Sequence, residues 1–173
     1  MLKYSPALLI VALSACSNGQ PQAATNDIAA DNSHTSISVD LAGHDLPLVV
    51  EMGDAATLGV DTPSVTWNDQ IGMLAIKAGD RFSILISEEP GGISRLRSSL
   101  DQDPLQTHVV TEEAEDRIIY RSSFPDDALV FVHFYRIIRS GGREFVLRDD
   151  PSGQFNEADI TRMIGSVRTQ RPA

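Results

Sequence analysis

The stretch Ala128–Arg139 constrains this chain more than any other segment. Read with period two, Val130, Val132, Phe134 and Ile138 fall on one face and Leu129, Phe131 and Ile137 on the other. A strand with large apolar groups on both faces cannot lie bare on either side, so layers must cover it above and below over part of its length. Ser140-Gly141-Gly142 breaks the run, and Arg143–Arg148 reads as the returning strand. With Gly141-Gly142 as a two-residue loop, Arg139 lies opposite Glu144 and Ile138 opposite Phe145. Both are favourable cross-strand pairs, so turn chemistry and register agree.

Upstream, Leu46–Met52 reads as the first strand, and the Gly/Asp/Pro-rich 53–63 as loop. Ser64–Asn68, Met73–Lys77 and Arg81–Ser87 follow as strands, the last two joined by a tight turn at Ala78-Gly79-Asp80. The period then changes. Ile93, Leu96 and Leu100, three and four apart, make an amphipathic helix that Asp103-Pro104 ends. Strands resume at His108–Thr111 and Arg117–Ser122 across the acidic turn 112–116. A second helix starts at Asn156, with Asp159 placed for a capping box. Its apolar stripe is Ile160, Met163, Ile164 and Val167; Glu157, Thr161, Arg162 and Ser166 are assigned to water.

The expectation is one α+β domain over 37–168, with 169–173 a polar tail. A mostly antiparallel β-sheet packs against two amphipathic helices as an α/β/α sandwich. This order of elements resembles the PsbP-like α/β/α sandwich of photosystem accessory proteins and small bacterial lipoproteins. The resemblance implies a fold and carries over no functional residue.

At the N-terminus, Lys3 precedes the apolar run 7–13, and then comes Leu13-Ser14-Ala15-Cys16. This is the order of a secretory signal. The run is far shorter than the ~20 residues of a membrane span. Small residues followed directly by cysteine resemble the lipobox of bacterial lipoproteins. The resemblance implies removal of 1–15, a diacylglyceryl group on the Cys16 thiol and acylation of the new amine. An ordinary signal-peptide cysteine is the competing reading. Cys16 is the chain's one cysteine, so it has no internal disulfide partner. By resemblance to the sorting pattern of enterobacterial lipoproteins, Ser17 in place of aspartate implies the outer membrane, facing the periplasm. Residues 17–35 hold almost no large apolar side chain, so 16–36 reads as a disordered tether reaching roughly 25 Å.

Without 1–15 the chain has 13 Lys and Arg against 24 Asp and Glu, a net charge of −11. That balance, with no basic run, argues against nucleic acid or an anionic leaflet as partner. The histidines read blandly: His34 in the tether, His44 in a turn, His108 opening a strand, His133 packed on the long one. Their spacing fits no zinc site and the acidic pairs fit no calcium loop. Serine-nucleophile, phosphate-loop and dinucleotide motifs are absent, so neither metal nor cofactor is expected. Arg136 is anomalous, because it shares a face with Phe134 and Ile138. Either its stem packs and its head reaches an edge or a carboxylate, or it lines a ligand cleft with His133, Tyr135 and Arg148.

The leading expectation is a lipid-anchored, non-enzymatic module that contacts another envelope protein. The alternatives are a small-ligand or envelope-polymer binding domain, and a hydrolase. A hydrolase needs a histidine or carboxylate pair brought within hydrogen-bond reach in a cleft. The oligomeric state is left open.

Overall fold

The computed structural model describes residues 36–60 and 62–170. Residues 1–15, Cys16, the tether to residue 35 with His34, and 171–173 lie outside them. The elements, in order, are β1 (Ser36–Asp40), β2 (Leu48–Asp54), α1 (Ala55–Leu58), β3 (Ser64–Asn68), β4 (Met73–Lys77) and β5 (Ser83–Glu88). Then come α2 (Ile93–Asp101), β6 (Thr107–Glu113), β7 (Arg117–Ser123), β8 (Val130–Ser140), β9 (Arg143–Asp149), α3 (Glu157–Ser166) and β10 (Val167–Thr169). The architecture is mixed α+β, with all observed strand pairs antiparallel.

Seven strands form the main sheet in the order β3-β4-β5-β9-β8-β7-β6. The hairpin β8–β9 lies inside it, as the two apolar faces of β8 require. Arg139 pairs with Glu144 and Ile138 with Phe145 across a turn in which Gly141 and Gly142 both have positive φ, 60° and 78°. Those are the dihedrals a two-residue primed turn demands, and glycine adopts them without steric cost. Gly79 is required twice over. Its φ is +61°, and an added Cβ would lie 2.2 Å from the Leu58 carbonyl oxygen.

One face of the main sheet carries Ile84, Ile86, Phe134, Ile138, Phe145 and Leu147 into the core. Leu48, Val50 and Met52 of β2 and Ile160 and Met163 of α3 meet them there. Each such side chain, fully buried, contributes about 1.5–3 kcal/mol. α3 is held in place by its capping box: Asn156 Oδ1 accepts the Asp159 N–H, and Asp159 reaches back to the Asn156 N–H. The other face buries Leu85, Ile137 and Val146, with α2 beyond them.

Several expectations are corrected. A second, three-stranded sheet, β1-β2-β10, covers part of the core. Its β1 precedes the strand read as first, and β10 is drawn from the end of the last helical stripe and the expected tail. The loop read at 53–63 contains α1, capped by Asp54, whose carboxylate accepts the Thr57 N–H. The described residues therefore hold three α-helices; α3 packs along the core, α1 adds Leu58 to it, and α2 has no fully buried residue. Ser166, assigned to water, is buried with its hydroxyl on the Met163 carbonyl. Arg162 is half-buried against Asp159 at 3.2 Å. One of these has a long-range cause: β2 pairs with β10 more than a hundred residues away, and no local period records that.

Candidate active or ligand-binding cleft

Directly opposed residues of antiparallel strands share a face. The register places Tyr120 opposite His133, Ser122 opposite Phe131, and His108 opposite Ser122. Tyr135 lies opposite both Ile118 and Arg148. Alternation within β6, β7, β8 and β9 thus gathers aromatic and polar side chains on the face away from α3. Their rings form a floor. Tyr120 and His133 lie 5.2 Å apart between centroids, Phe131 stacks near His133 at 6.5 Å, and His108 meets Tyr120 edge-on at 5.9 Å.

α2 is the wall above this floor. Its leading loop is tied to the sheet where Glu144 accepts the Gly91 N–H and the Tyr135 hydroxyl oxygen accepts the Gly92 N–H. Its far end is tied through Asp103, whose Oδ1 accepts the backbone N–H of Leu105 at 2.8 Å and of Gln106 at 3.2 Å. Leu96 and Leu100, both half-buried, line the space between α2 and the sheet. The space between is a cleft of about 590 Å³, with Phe124 and Pro151 at its sides.

Two histidine–aspartate pairs stand in it. His133 Nδ1 lies 2.7 Å from Asp149 Oδ2, and Asp149 Oδ1 accepts the Phe134 N–H at 2.9 Å. The β8–β9 ladder ends at Tyr135 and Arg148, so the buried carboxylate takes the place of the next rung. An ionised carboxylate only accepts hydrogen bonds. In the neutral ring Nδ1 therefore carries the proton, and Nε2 is an acceptor with no partner among the described residues.

The second pair extends into a chain. His108 Nε2 lies 3.0 Å from Asp103 Oδ2, and its Nδ1 lies 2.8 Å from Ser122 Oγ. With the Nε2 proton on Asp103, the neutral ring accepts the Ser122 hydroxyl. The hydrogen bond from His108, then the backbone N–H groups of Leu105 and Gln106, hold the Asp103 carboxyl below its usual range. This is the order serine–histidine–aspartate, but Ser122 is only 2% exposed. Ser122 sits at the bottom of the cleft lining with its hydroxyl engaged by His108, and the chain ties β6 to β7 and to the end of α2. Tyr120 lies between the two pairs. Burial, with the Asp149 charge nearby and Arg148 opposing it, pushes its phenol up to about 12. It stays protonated and neutral.

Three of the four residues expected in a cleft, His133, Tyr135 and Arg148, line this one. Arg148 spans its wall: Nη2 lies 3.8 Å from Glu89 and 3.2 Å from the Met73 sulfur, while the buried Nε has no hydrogen-bond partner. Arg136 is not brought here. It projects from the opposite face and donates to the carbonyls of Ile164 at 2.6 Å and Val167 at 3.2 Å, closing the C-terminal end of α3. Burial lowers the pKa of its guanidinium, against the raising charge of Asp116. It is the packed arginine of the two readings, with carbonyls in place of a carboxylate. His44 ends an exposed 3-10 turn, Ala42–His44.

Sequence reasoning missed Asp103, His108, Tyr120, Ser122 and Asp149 as members of one site. The one available signal was strand alternation, which puts Tyr120 and Ser122 on one face of β7 and Phe131, His133 and Tyr135 on one face of β8. Among the described residues, no group of three or more His, Cys, Asp and Glu side chains is gathered closely enough to hold a metal ion. No described helix is long and apolar enough to cross a membrane. Compared with protein-family models, curated proteins and solved structures, the chain shows no match.

Proposed function

We propose that this is a lipid-anchored domain of the cell envelope that binds a small ligand in the cleft between α2 and the main sheet. The observation that carries the reading is the cleft itself, about 590 Å³ with an aromatic floor and polar groups along its walls. That size and mixed lining are usual for small-molecule sites. The membrane half of the proposal rests on the Leu13-Ser14-Ala15-Cys16 signal. Two acyl chains or more give stable anchoring where one gives only marginal binding.

Amide NMR spectra of 36–173, titrated with envelope saccharides, phenols and small carboxylates, test the ligand half. Shifts gathered on β7, β8 and α2 are expected; a library that moves no cleft resonance refutes it. Mass spectrometry of the native protein tests the anchor: an unmodified Cys16, or cleavage elsewhere, refutes that half. Cys16→Ala should release a folded domain from the membrane fraction.

A protein-assembly reading stands beside this one, supported by a rim of exposed apolar residues. Leu105, Phe124, Leu129 and Val130 are 42–70% exposed, and the pairing of Ser123 with Thr107 and Val130 places them at one end of β6, β7 and β8. Exposed apolar surface beside a cleft marks a contact site more often than chance. Recovery of one reproducible partner from solubilised envelopes, lost on Leu129→Ser with Val130→Ser, supports it; unchanged recovery with that double variant rejects it.

A further inference from the structure

Building on the small-ligand reading, we infer that the cleft selects an uncharged ring bearing hydroxyl groups, a saccharide or a phenol. Asp149 is its positioning residue, because it fixes His133 Nε2 as the acceptor for a ligand hydroxyl.

The charge lining the cleft decides against anions. Asp103 and Asp149 both contribute carboxylates, and the one cation of the lining, Arg148, already lies 3.8 Å from Glu89. The floor decides for rings. Tyr120, Phe131 and His133 present aromatic groups 5.2 to 6.5 Å apart, and flat or ring-shaped molecules cover such faces with little loss of conformational freedom. Hydrogen-bond polarity decides for hydroxyl groups, which both donate and accept. Asp103 has already spent its oxygens on Leu105, Gln106 and His108, and Asp149 on Phe134 and His133. His133 Nε2 is left over as an acceptor, beside the partnerless donor of Arg148 Nε, and a hydroxyl group can answer either.

The tautomer follows from two bonds made by one carboxylate. Asp149 Oδ1 holds the Phe134 N–H at 2.9 Å, so Oδ2 faces His133 Nδ1 at 2.7 Å. In Asp149→Asn the amide oxygen keeps the Phe134 N–H and the amide nitrogen turns to His133. That nitrogen donates, so the ring proton moves to Nε2 and the cleft gains a donor where it had an acceptor. The same substitution in a serine protease triad spoils catalysis through the wrong tautomer with geometry intact.

The test reads the tautomer and the affinity separately. Side-chain nitrogen NMR above the ordinary imidazole range should show His133 protonated on Nδ1 in the native protein and on Nε2 in Asp149→Asn. A native ring protonated on Nε2, or on both nitrogens, overturns the inference whatever binds. N-acetylglucosamine oligomers and catechol serve as the saccharide and phenol probes, with benzoate as the anion. One of the first two should bind, benzoate should not, and Asp149→Asn should weaken binding about tenfold. His133→Phe keeps an aromatic ring without the acceptor, and should lose about as much even if Asp149→Asn fails to fold. Binding in the cleft that neither variant weakens overturns this inference and leaves the binding reading standing. Failure of every probe class to bind there removes both.

Discussion

Gly91 lies directly against Ile137: a Cβ at position 91 would come within 2.5 Å of the Ile137 side chain. The loop leading into α2 is therefore pressed onto the buried later half of β8. Gly91→Ala should destabilise the domain by about 1–3 kcal/mol, the range for overpacking a core, and lift the wall of the cleft. Gly92→Ala should cost less, since its Cβ would meet Arg95 at an ordinary 3.4 Å. Urea denaturation of both variants checks the order; equal stabilities would show that the loop yields freely.

Arg136 and the cleft lie on opposite faces of β8, so their functions should separate. Arg136→Met keeps an apolar stem but leaves the Ile164 and Val167 carbonyls without their donor. A loss of about 1–3 kcal/mol is expected, with cleft binding unchanged. Binding measured beside thermal stability decides it. A variant of native stability that no longer binds would contradict the placement of Arg136.

Tyr120 links the cleft to alkaline pH. Its folded pKa of about 12 stands above the ordinary value of 10.0, so the folded state favours the neutral phenol. That contribution is intact below pH 10 and fades as pH rises toward 12, where the unfolded chain has ionised and the folded one has not. The sum is of order 2–3 kcal/mol. Relative to Tyr120→Phe, the native protein should lose stability between pH 10 and 12. Parallel stability curves for the two proteins across that range would show that the phenol is not held neutral. Absorbance titration of the folded protein should likewise show one tyrosine ionising last.

Asp159 ties three parts of the chain together. Its buried carboxylate closes the α3 capping box and accepts from Arg81 at 2.9 Å and Arg162 at 3.2 Å. Asp159→Asn retains the shape but removes the charge and leaves one oxygen, where in the native carboxylate Oδ1 serves both guanidinium groups and Oδ2 the Asn156 N–H. Destabilisation of about 1–3 kcal/mol is expected, readable as a lower denaturation midpoint with an unchanged slope. Both arginines are partly exposed, and water replaces some of what is lost. A midpoint within error of the native one would mean that the ion pairs contribute nothing net.

What the sequence by itself determined is what short-range rules govern. The two apolar faces of β8, the Gly141-Gly142 turn with its Arg139–Glu144 register, the periods of α2 and α3 and the Asn156–Asp159 box are each written within a dozen residues. Steric limits on φ and ψ, hydrogen bonding at helix ends and alternation along strands act over that distance. The tertiary structure alone decided the rest. The small sheet joins Val50 to Val167, a pairing that neither segment advertises, because strand edges are matched by the shape of the whole core. The cleft depends on the same long reach. His133 lies sixteen positions from Asp149 and twenty-five from His108, and it is an acceptor only because a carboxylate at the end of another strand occupies its Nδ1. A side chain's type is a property of the sequence. Its proton, its burial and its open lone pair belong to the neighbours that folding brings to it.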